Sequence, residues 1–218
     1  MKDDSVIFVV DDDPAVRDAL TQLFEAAGYA VESYATAQNF LEACDPGRPG
    51  CIVLDIQMPG MSGLDLQAAL SERHILQPVI FLTGHGTVNM AVQACKHGAF
   101  DFLEKPIDGS ALLARAHEAL EADARRQHEE AVRGGLETRC AALTPREREI
   151  FPLVASGRPS KDIARELGIS HRTVELHRAR IIHKMGAHTL VELAAAAQAC
   201  GYVVPVLPGN NDQPPEAE

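Results

Sequence analysis

The chain has 218 residues, 46% hydrophobic and 23% charged, with no Trp. That length suits one large or two small domains, and this much apolar surface excludes disorder for the bulk of the chain. No run of about 20 apolar residues occurs, so a membrane span is not expected. The acidic start Met1-Lys2-Asp3-Asp4-Ser5 lacks the basic n-region of a secretory signal, so a cytoplasmic location is expected. Cys44, Cys51, Cys95, Cys140 and Cys200 form no CxxC pair. Their odd number fits no closed disulfide set, and free thiols are expected.

The net charge of −11 is unevenly spread. Residues 1–137 carry 10 Lys+Arg against 22 Asp+Glu, a net of −12. Residues 138–200 carry 10 against 6, a net of +4, and residues 201–218 add −3. Only the middle region has the sign that favours a phosphate backbone.

The first half alternates short apolar runs with segments of helical period. Strands are expected at Val6–Val10, Ala30–Tyr34, Cys51–Leu54, Val79–Leu82 and Ala99–Leu103. Helices are expected between and after them, at Pro14–Ala27, Thr36–Ala43, Gly63–Arg73, Thr87–His97 and Asp108–Leu120. Such alternation argues for a five-stranded parallel sheet with helices on both faces. The continuous apolar runs are those of strands buried on both faces. From Glu121 to Thr138 the chain turns Ala/Arg/Glu-rich, which extends the last helix into a linker. Gly134-Gly135 is expected to act as its hinge or stop.

Explicit helix starts follow. Thr144-Pro145-Arg146-Glu147 is a capping box with Pro at the first helical position, and Thr189 with Glu192 repeats the box pattern. Ser160 and Ser170 each stand before a helical segment. Four short helices are expected, Pro145–Ala155, Lys161–Leu167, His171–Met185 and Leu190–Cys200, with a kink at Pro152. The stretch from Pro205 to Glu218, rich in Pro, Asn and acid, is expected to be disordered.

In an open parallel sheet, ligands bind beyond the carboxyl ends of the strands. Those ends carry Asp11-Asp12-Asp13, Asp55, Thr83 and Glu104-Lys105-Pro106. Clustered carboxylates repel unless a cation neutralises them, and hard oxygen ligands with open water positions suit Mg²⁺. Asp55, alone at the middle strand, is then the natural nucleophile for a phosphoryl group, with Thr83 and Lys105 on the phosphoryl oxygens. Gly84 leaves room for the group to enter. Gly84-His85-Gly86 lacks a third Gly and follows the fourth strand, so it is a weak dinucleotide signal. His171, His177, His183 and His188 do not have zinc spacing.

Val9-Val10-Asp11-Asp12-Asp13-Pro14, Asp55-Ile56-Gln57-Met58-Pro59-Gly60 and Phe102-Leu103-Glu104-Lys105-Pro106 resemble the receiver domain of two-component response regulators. The resemblance implies a flavodoxin-like receiver over residues 4–121. It implies an acidic pair, Asp11 and Asp12, and a metal site of Asp11, Asp12, Asp55 and the Gln57 carbonyl holding Mg²⁺. It also implies phosphorylation at Asp55, a switch pair of Thr83 and Phe102, a phosphoryl contact from Lys105 and a cis Lys105–Pro106 bond. Phe102 lacks a hydroxyl, so only ring packing can report the switch.

In the basic region, two helices joined by Gly168-Ile169 form a helix-turn-helix, whose second helix enters the major groove. Around that helix, Val174, Ile181, Ile182 and Met185 form the packing side. The opposite arc holds Arg172, Leu176, Ala179, Arg180 and His183, with Glu175 at its edge. Lys184 and Arg180 flank the arc, where long basic side chains reach phosphates. Leu143-Thr144-Pro145-Arg146-Glu147, Ile169-Ser170, Thr173-Val174-Glu175 and His177-Arg178 resemble the LuxR-type helix-turn-helix of NarL/FixJ regulators. That resemblance places Thr173 among the DNA-binding residues as well.

The expected organisation is therefore a receiver at 4–121, a helical linker at 122–138 and a DNA-binding domain at 139–203 with its helix-turn-helix at about 160–184. A tail at 204–218 completes it. The resemblance implies a sensor histidine kinase as donor, a homodimer on phosphorylation, double-stranded promoter DNA and RNA polymerase as partners. It implies no enzyme beyond Mg²⁺-dependent self-phosphorylation and autodephosphorylation. Two other functional classes fit the sequence less well. An aspartyl-phosphate phosphatase would place an acid two residues after the nucleophile, where this chain has Gln57. A ligand-sensing LuxR-type regulator would need a small-molecule pocket in place of an acidic sheet edge.

Overall fold

The computed structural model describes residues 5–84 and 88–205, in two compact units, Met1–Glu129 and Glu130–Glu218. The first unit holds β1 (Val6–Val10), α1 (Pro14–Ala26), β2 (Ala30–Tyr34), α2 (Ala37–Ala43), β3 (Gly50–Leu54), α3 (Gly63–Glu72), β4 (Val79–Thr83), α4 (Val88–Lys96) and β5 (Asp101–Glu104), and α5 (Gly109–Ala141) starts in it and ends in the second. All strand pairs are parallel, in the order β2-β1-β3-β4-β5. This is the doubly wound order whose switch point lies between β1 and β3.

Alternation along the strands divides the core into two layers. Val6, Phe8, Val10, Ile52, Leu54 and Phe81 face α2, α3 and α4 through Phe40, Leu66, Leu70 and Ala94. Ile7, Val9, Cys51, Val53, Ile80 and Leu82 face α1 and α5 through Leu20, Phe24, Leu112, Ala116 and Ala119. Each large side chain buried in this way contributes about 1.5–3 kcal/mol. β2, at the sheet edge, is only partly buried.

Two features set where the sheet ends. A Cβ on Gly50 would lie 2.3 Å from the Val6 carbonyl oxygen, so only glycine lets β3 begin this close to β1. The Gly50 N–H donates to the buried carboxylate of Asp123 at 3.0 Å. Asp123 also accepts from Arg126 at 2.5 Å and Gln127 at 2.8 Å. A residue expected to open the linker is thus pinned beneath the sheet.

Other expectations need correction. Gly134-Gly135 does not stop α5, which is continuous to Ala141. Each glycine weakens the helix by about 1 kcal/mol, but the neighbouring turns carry strong helix formers that hold it. Cys140 and Cys200 are not free; they are joined as a disulfide, while Cys44, Cys51 and Cys95 are free. Residues 206–218, with most of the expected tail, and residues 85–87, with the expected start at Thr87, lie outside the described residues.

The second unit comprises α6 (Pro145–Ala155), α7 (Ser160–Leu167), α8 (His171–Met185) and α9 (Leu190–Ala199). Ile150, Phe151, Val154, Ile163, Val174, Ile181, Met185, Leu193 and Ala197 form its core, and Tyr202 packs edge-on against Phe151 at 5.3 Å. α6 continues through Pro152, which has no N–H to give the Arg148 carbonyl but is flanked by buried Phe151 and Leu153. The turn into α8 uses Gly168 at φ +63°, a left-handed cap that glycine adopts without strain, and Ser170 caps α8 through the Thr173 N–H. Ser160 is no cap. It is the first helical residue, buried, and its hydroxyl accepts from Arg178 at 3.1 Å. In α9 the Glu192 carboxylate accepts from the His188 N–H at 2.8 Å, one residue before the expected Thr189. Ile182 is 37% exposed and so leaves the packing side of α8.

One buried ion pair joins the helices of this unit. The Lys184 ammonium lies 2.6 Å from the Glu147 carboxylate and donates to the Ala142 carbonyl at 2.9 Å. Glu147 also closes the capping box by accepting from the Thr144 N–H at 2.9 Å. Burial pushes its carboxyl up, but the Lys184 hydrogen bond and the Thr144 contacts outweigh it, and the folded value lies below the ordinary one. A lowered folded value means the charge stabilises the fold above the ordinary carboxyl range and ceases to as pH falls through the lowered value. Glu147→Gln should therefore destabilise the second unit by about 1–3 kcal/mol at neutral pH. The variant should also lose less stability than the parent on acidification to about pH 4, a difference read from urea titrations followed by amide exchange in α6 and α8.

Candidate phosphoacceptor site and nucleic-acid interface

The β1–β3 register places Val10 opposite Leu54, so the next residues, Asp11 and Asp55, emerge side by side. The Asp55 N–H donates to the Val10 carbonyl at 2.8 Å and the Lys105 N–H to the Thr83 carbonyl at 2.8 Å, which extends the sheet to its functional rim. Lys105 reaches across this rim. Its Nζ lies 2.6 Å from Asp11 Oδ2 and 3.2 Å from Asp55 Oδ1. The peptide after it, Lys105–Pro106, is cis.

Local hydrogen bonds aim the two carboxylates. Asp55 Oδ2 accepts from the Gln57 N–H at 2.7 Å, and Asp11 Oδ1 from the Asp13 N–H at 2.9 Å. Asp13 caps α1 by accepting from the Ala15 N–H at 2.8 Å. Arg17 clamps the loop from below, donating to the carbonyls of Asp11 and Asp12 at 2.8 and 2.9 Å. No motif pointed to Arg17. Gly63 is also essential, because a Cβ there would lie 2.2 Å from the Asp55 carbonyl oxygen. A Cβ on Gly84 would meet nothing among the described residues within 4 Å, so crowding does not require that glycine.

Asp11 and Asp55 are buried, and Asp12 is exposed. Burial raises the Asp55 carboxyl, Lys105 opposes it, and the Asp11 charge adds to the rise. Burial would lower the Lys105 ammonium, but its bonds to Asp11 and Asp55 dominate and its value is raised. Lys105 is thus a lasting cation facing two carboxylates. The excess negative charge, with the Gln57 backbone in reach of Asp55, suits a hard divalent ion. Among the described residues no three His, Cys, Asp or Glu side chains form a ready cage. Mg²⁺ takes one or two carboxylates and keeps its waters, and the carboxylates present at this rim fit such an ion. Beside it lies a cavity of about 520 Å³ lined by Asp12, Gln57, Ile56, Met58, Leu64 and Met90, among others.

Thr83 is buried directly behind this rim. Phe102, half-buried on β5, packs against the same core, its ring 6.3 Å from that of Phe81. The two switch candidates thus stand on neighbouring strands, with Phe81 opposite Phe102 in register and Thr83 opposite Glu104.

On α8, Arg172, Glu175, Leu176, Ala179 and Arg180 are all exposed, and Leu176 is 51% exposed despite being apolar. Thr173 is half-buried, and its hydroxyl pairs with that of Ser170 at 2.8 Å. Lys184 departs from expectation, since its ammonium serves Glu147 rather than the outward flank. Arg178, which the sequence marks only as part of the LuxR-type resemblance, donates to Ser160 Oγ at 3.1 Å and to the Arg158 carbonyl at 2.6 Å. It ties α8 to α7 and the loop before it from within, a role that its place at the border of the polar arc does not reveal.

A family model described as a response regulator receiver domain matches residues 7–117, and one described as bacterial regulatory proteins of the luxR family matches residues 141–197. The chain is 44% identical over 195 residues to the transcriptional regulatory protein FixJ of Azorhizobium caulinodans, covering 89% of this chain and 92% of that protein. It is 44% identical over 192 residues to the transcriptional regulatory protein TdiR of Thauera aromatica, covering 87% and 83%. Among solved structures, that of the response regulator StyR matches with a TM-score of 0.85 and 39% identity, covering 90% of this chain and 99% of that one. With its acidic rim and its exposed helix-turn-helix surface, the chain belongs to the NarL/FixJ family of response regulators, transcriptional regulators that join a receiver to a LuxR-type DNA-binding domain.

Proposed function

We propose that Asp55 accepts a phosphoryl group from a sensor histidine kinase and that the modified chain dimerises and binds double-stranded promoter DNA. The observation that carries this reading is the Lys105 ammonium held between Asp11 and Asp55 at the rim of the sheet. An Asp55 oxygen attacks phosphorus, the bond from phosphorus to the kinase imidazole breaks, and the imidazole leaves with the electron pair. Lys105 stabilises the charge spread over the equatorial oxygens. Asp12, Asp55 and the Gln57 carbonyl, with Asp11 beside them, would hold Mg²⁺, which when bound supplies further charge neutralisation on those oxygens. Water later hydrolyses the acyl phosphate, so the receiver acts only on itself. Gln57, where a phosphatase would need an acid, supports regulation over turnover of free phosphomonoesters.

The added charge draws Thr83 toward the phosphoryl oxygens and leaves space that the Phe102 ring can fill. That movement would alter the α4–β5 face and favour a homodimer. Two α8 helices would then read half-sites about one DNA turn apart, in the cytoplasm, where promoter DNA and RNA polymerase are available as partners. Arg172, Thr173, Glu175, Leu176, Ala179 and Arg180 remain the DNA-contacting set. Lys184 drops out of it because its ammonium is engaged by Glu147.

Asp55→Asn should abolish labelling by acetyl phosphate, as should chelation of Mg²⁺; undiminished labelling would move the acceptor to Asp11 or Asp12. Thr83→Ala should keep the label but weaken phosphorylation-induced dimerisation in sedimentation experiments. Arg180→Ala should weaken binding to all sequences alike and lower the salt slope by about one ion. Glu175→Lys should instead change the preferred site by about 1–3 kcal/mol at one or two base pairs, read from selected-site profiles at two salt concentrations.

A further inference from the structure

Cys140 and Cys200 are 60 residues apart in sequence, yet their Cα atoms are 6.3 Å apart and their sulfurs are bonded. That Cα separation is one a disulfide spans without backbone movement. Cys140 occupies the last turn of α5 and Cys200 is the cap residue ending α9. Both are half-buried, so small solutes reach them, unlike Cys51, which is buried. Neither residue takes part in the acidic rim or in the exposed arc of α8.

We propose that Cys140 and Cys200 form a reversible redox modification site on the DNA-binding unit, closed by a peroxide and reopened by a dithiol. One thiolate attacks a peroxide oxygen, the O–O bond breaks, and the sulfur becomes a sulfenic acid as water leaves. The second thiol attacks that sulfur, the S–S bond forms and a second water leaves. Two thiols have then lost two electrons and two protons, which hydrogen peroxide has taken up to become two waters. A dithiol reverses the step through a mixed disulfide and is itself oxidised to the cyclic disulfide.

The position of the bond shows what it would control. Hydrogen bonds already hold the end of α5 to α6 and α8: Arg139 donates to the Met185 carbonyl at 3.1 Å, Arg148 to the Ala141 carbonyl at 3.1 Å and Lys184 to the Ala142 carbonyl at 2.9 Å. The disulfide adds a covalent tie to α9 and encloses α6 through α9 in one loop. Closing that loop removes freedom from the unfolded unit. Oxidation would therefore stiffen the junction between linker helix and DNA-binding unit while the base-reading arc stays exposed. Phosphorylation at Asp55 is not needed for any of this.

The test uses the full unphosphorylated chain, reduced with dithiothreitol, freed of it and then exposed to hydrogen peroxide. Of the five cysteines in the chain, five thiols should titrate before oxidation and three after, with the new bond mapped to Cys140 and Cys200. Cys140→Ser and Cys200→Ser should each prevent that bond. The second unit of the oxidised parent should melt roughly 8–20 °C higher than when reduced, and amides at 130–141 and 196–200 should exchange more slowly. Dithiothreitol without denaturant should reverse every change, and Asp55→Asn should respond as the parent does. Five thiols persisting in peroxide, a bond mapped to Cys95 or between two chains, or a bond that dithiothreitol cannot open in the folded protein would each overturn the proposal.

Discussion

The receiver half depends on one cation between two buried carboxylates. Lys105 bridges Asp11 and Asp55, and so joins the carboxyl ends of β1, β3 and β5 across the rim of the sheet. Two negative charges this close and this buried would repel strongly without it. One ammonium offsets only one of them, so the rim keeps a net negative charge. The rest of the unit serves this arrangement. Gly63 admits α3 beside Asp55, Arg17 holds the acidic loop by its carbonyls, and the two apolar layers keep β1 and β3 in register.

The DNA-binding half applies the same physics to a different end. Here charged side chains are turned inward to hold helices, and the outward arc of α8 is left free. Glu147 spends its charge on Lys184 and its second contact on the Thr144 N–H, so a helix cap and a helix crossing share one carboxylate. Arg178 does similar work from the middle of α8, tying it to Ser160 and Arg158. Leu176 is an exposed apolar side chain in the middle of the arc, costly in water.

Much of this was legible in the sequence. Short apolar runs followed by Asp11, Asp55, Thr83 and Glu104-Lys105 mark strands and rim together, because strand-end positions in a parallel sheet share one edge. Thr144-Pro145 with Glu147 and the Gly168 turn are local signals, decided by backbone hydrogen bonding within a few residues, and both appear where expected. Gly134-Gly135 misled because a propensity of about 1 kcal/mol is a weak vote against the turns on either side. Ser160 misled because the same hydroxyl that can cap a helix can also accept from a distant arginine.

What the sequence alone determined is the inventory at the sheet's rim and the existence of two units, since both follow from periodicity and from residues that sit at chain-local positions. What only the tertiary structure decided is pairing across distance. Lys184 with Glu147, Asp123 with Gly50 and Cys140 with Cys200 are separated by 37, 73 and 60 residues. No local pattern encodes such pairs. Each side chain has several chemically acceptable partners in the chain, and the packing of the helices selects the one that burial leaves within reach.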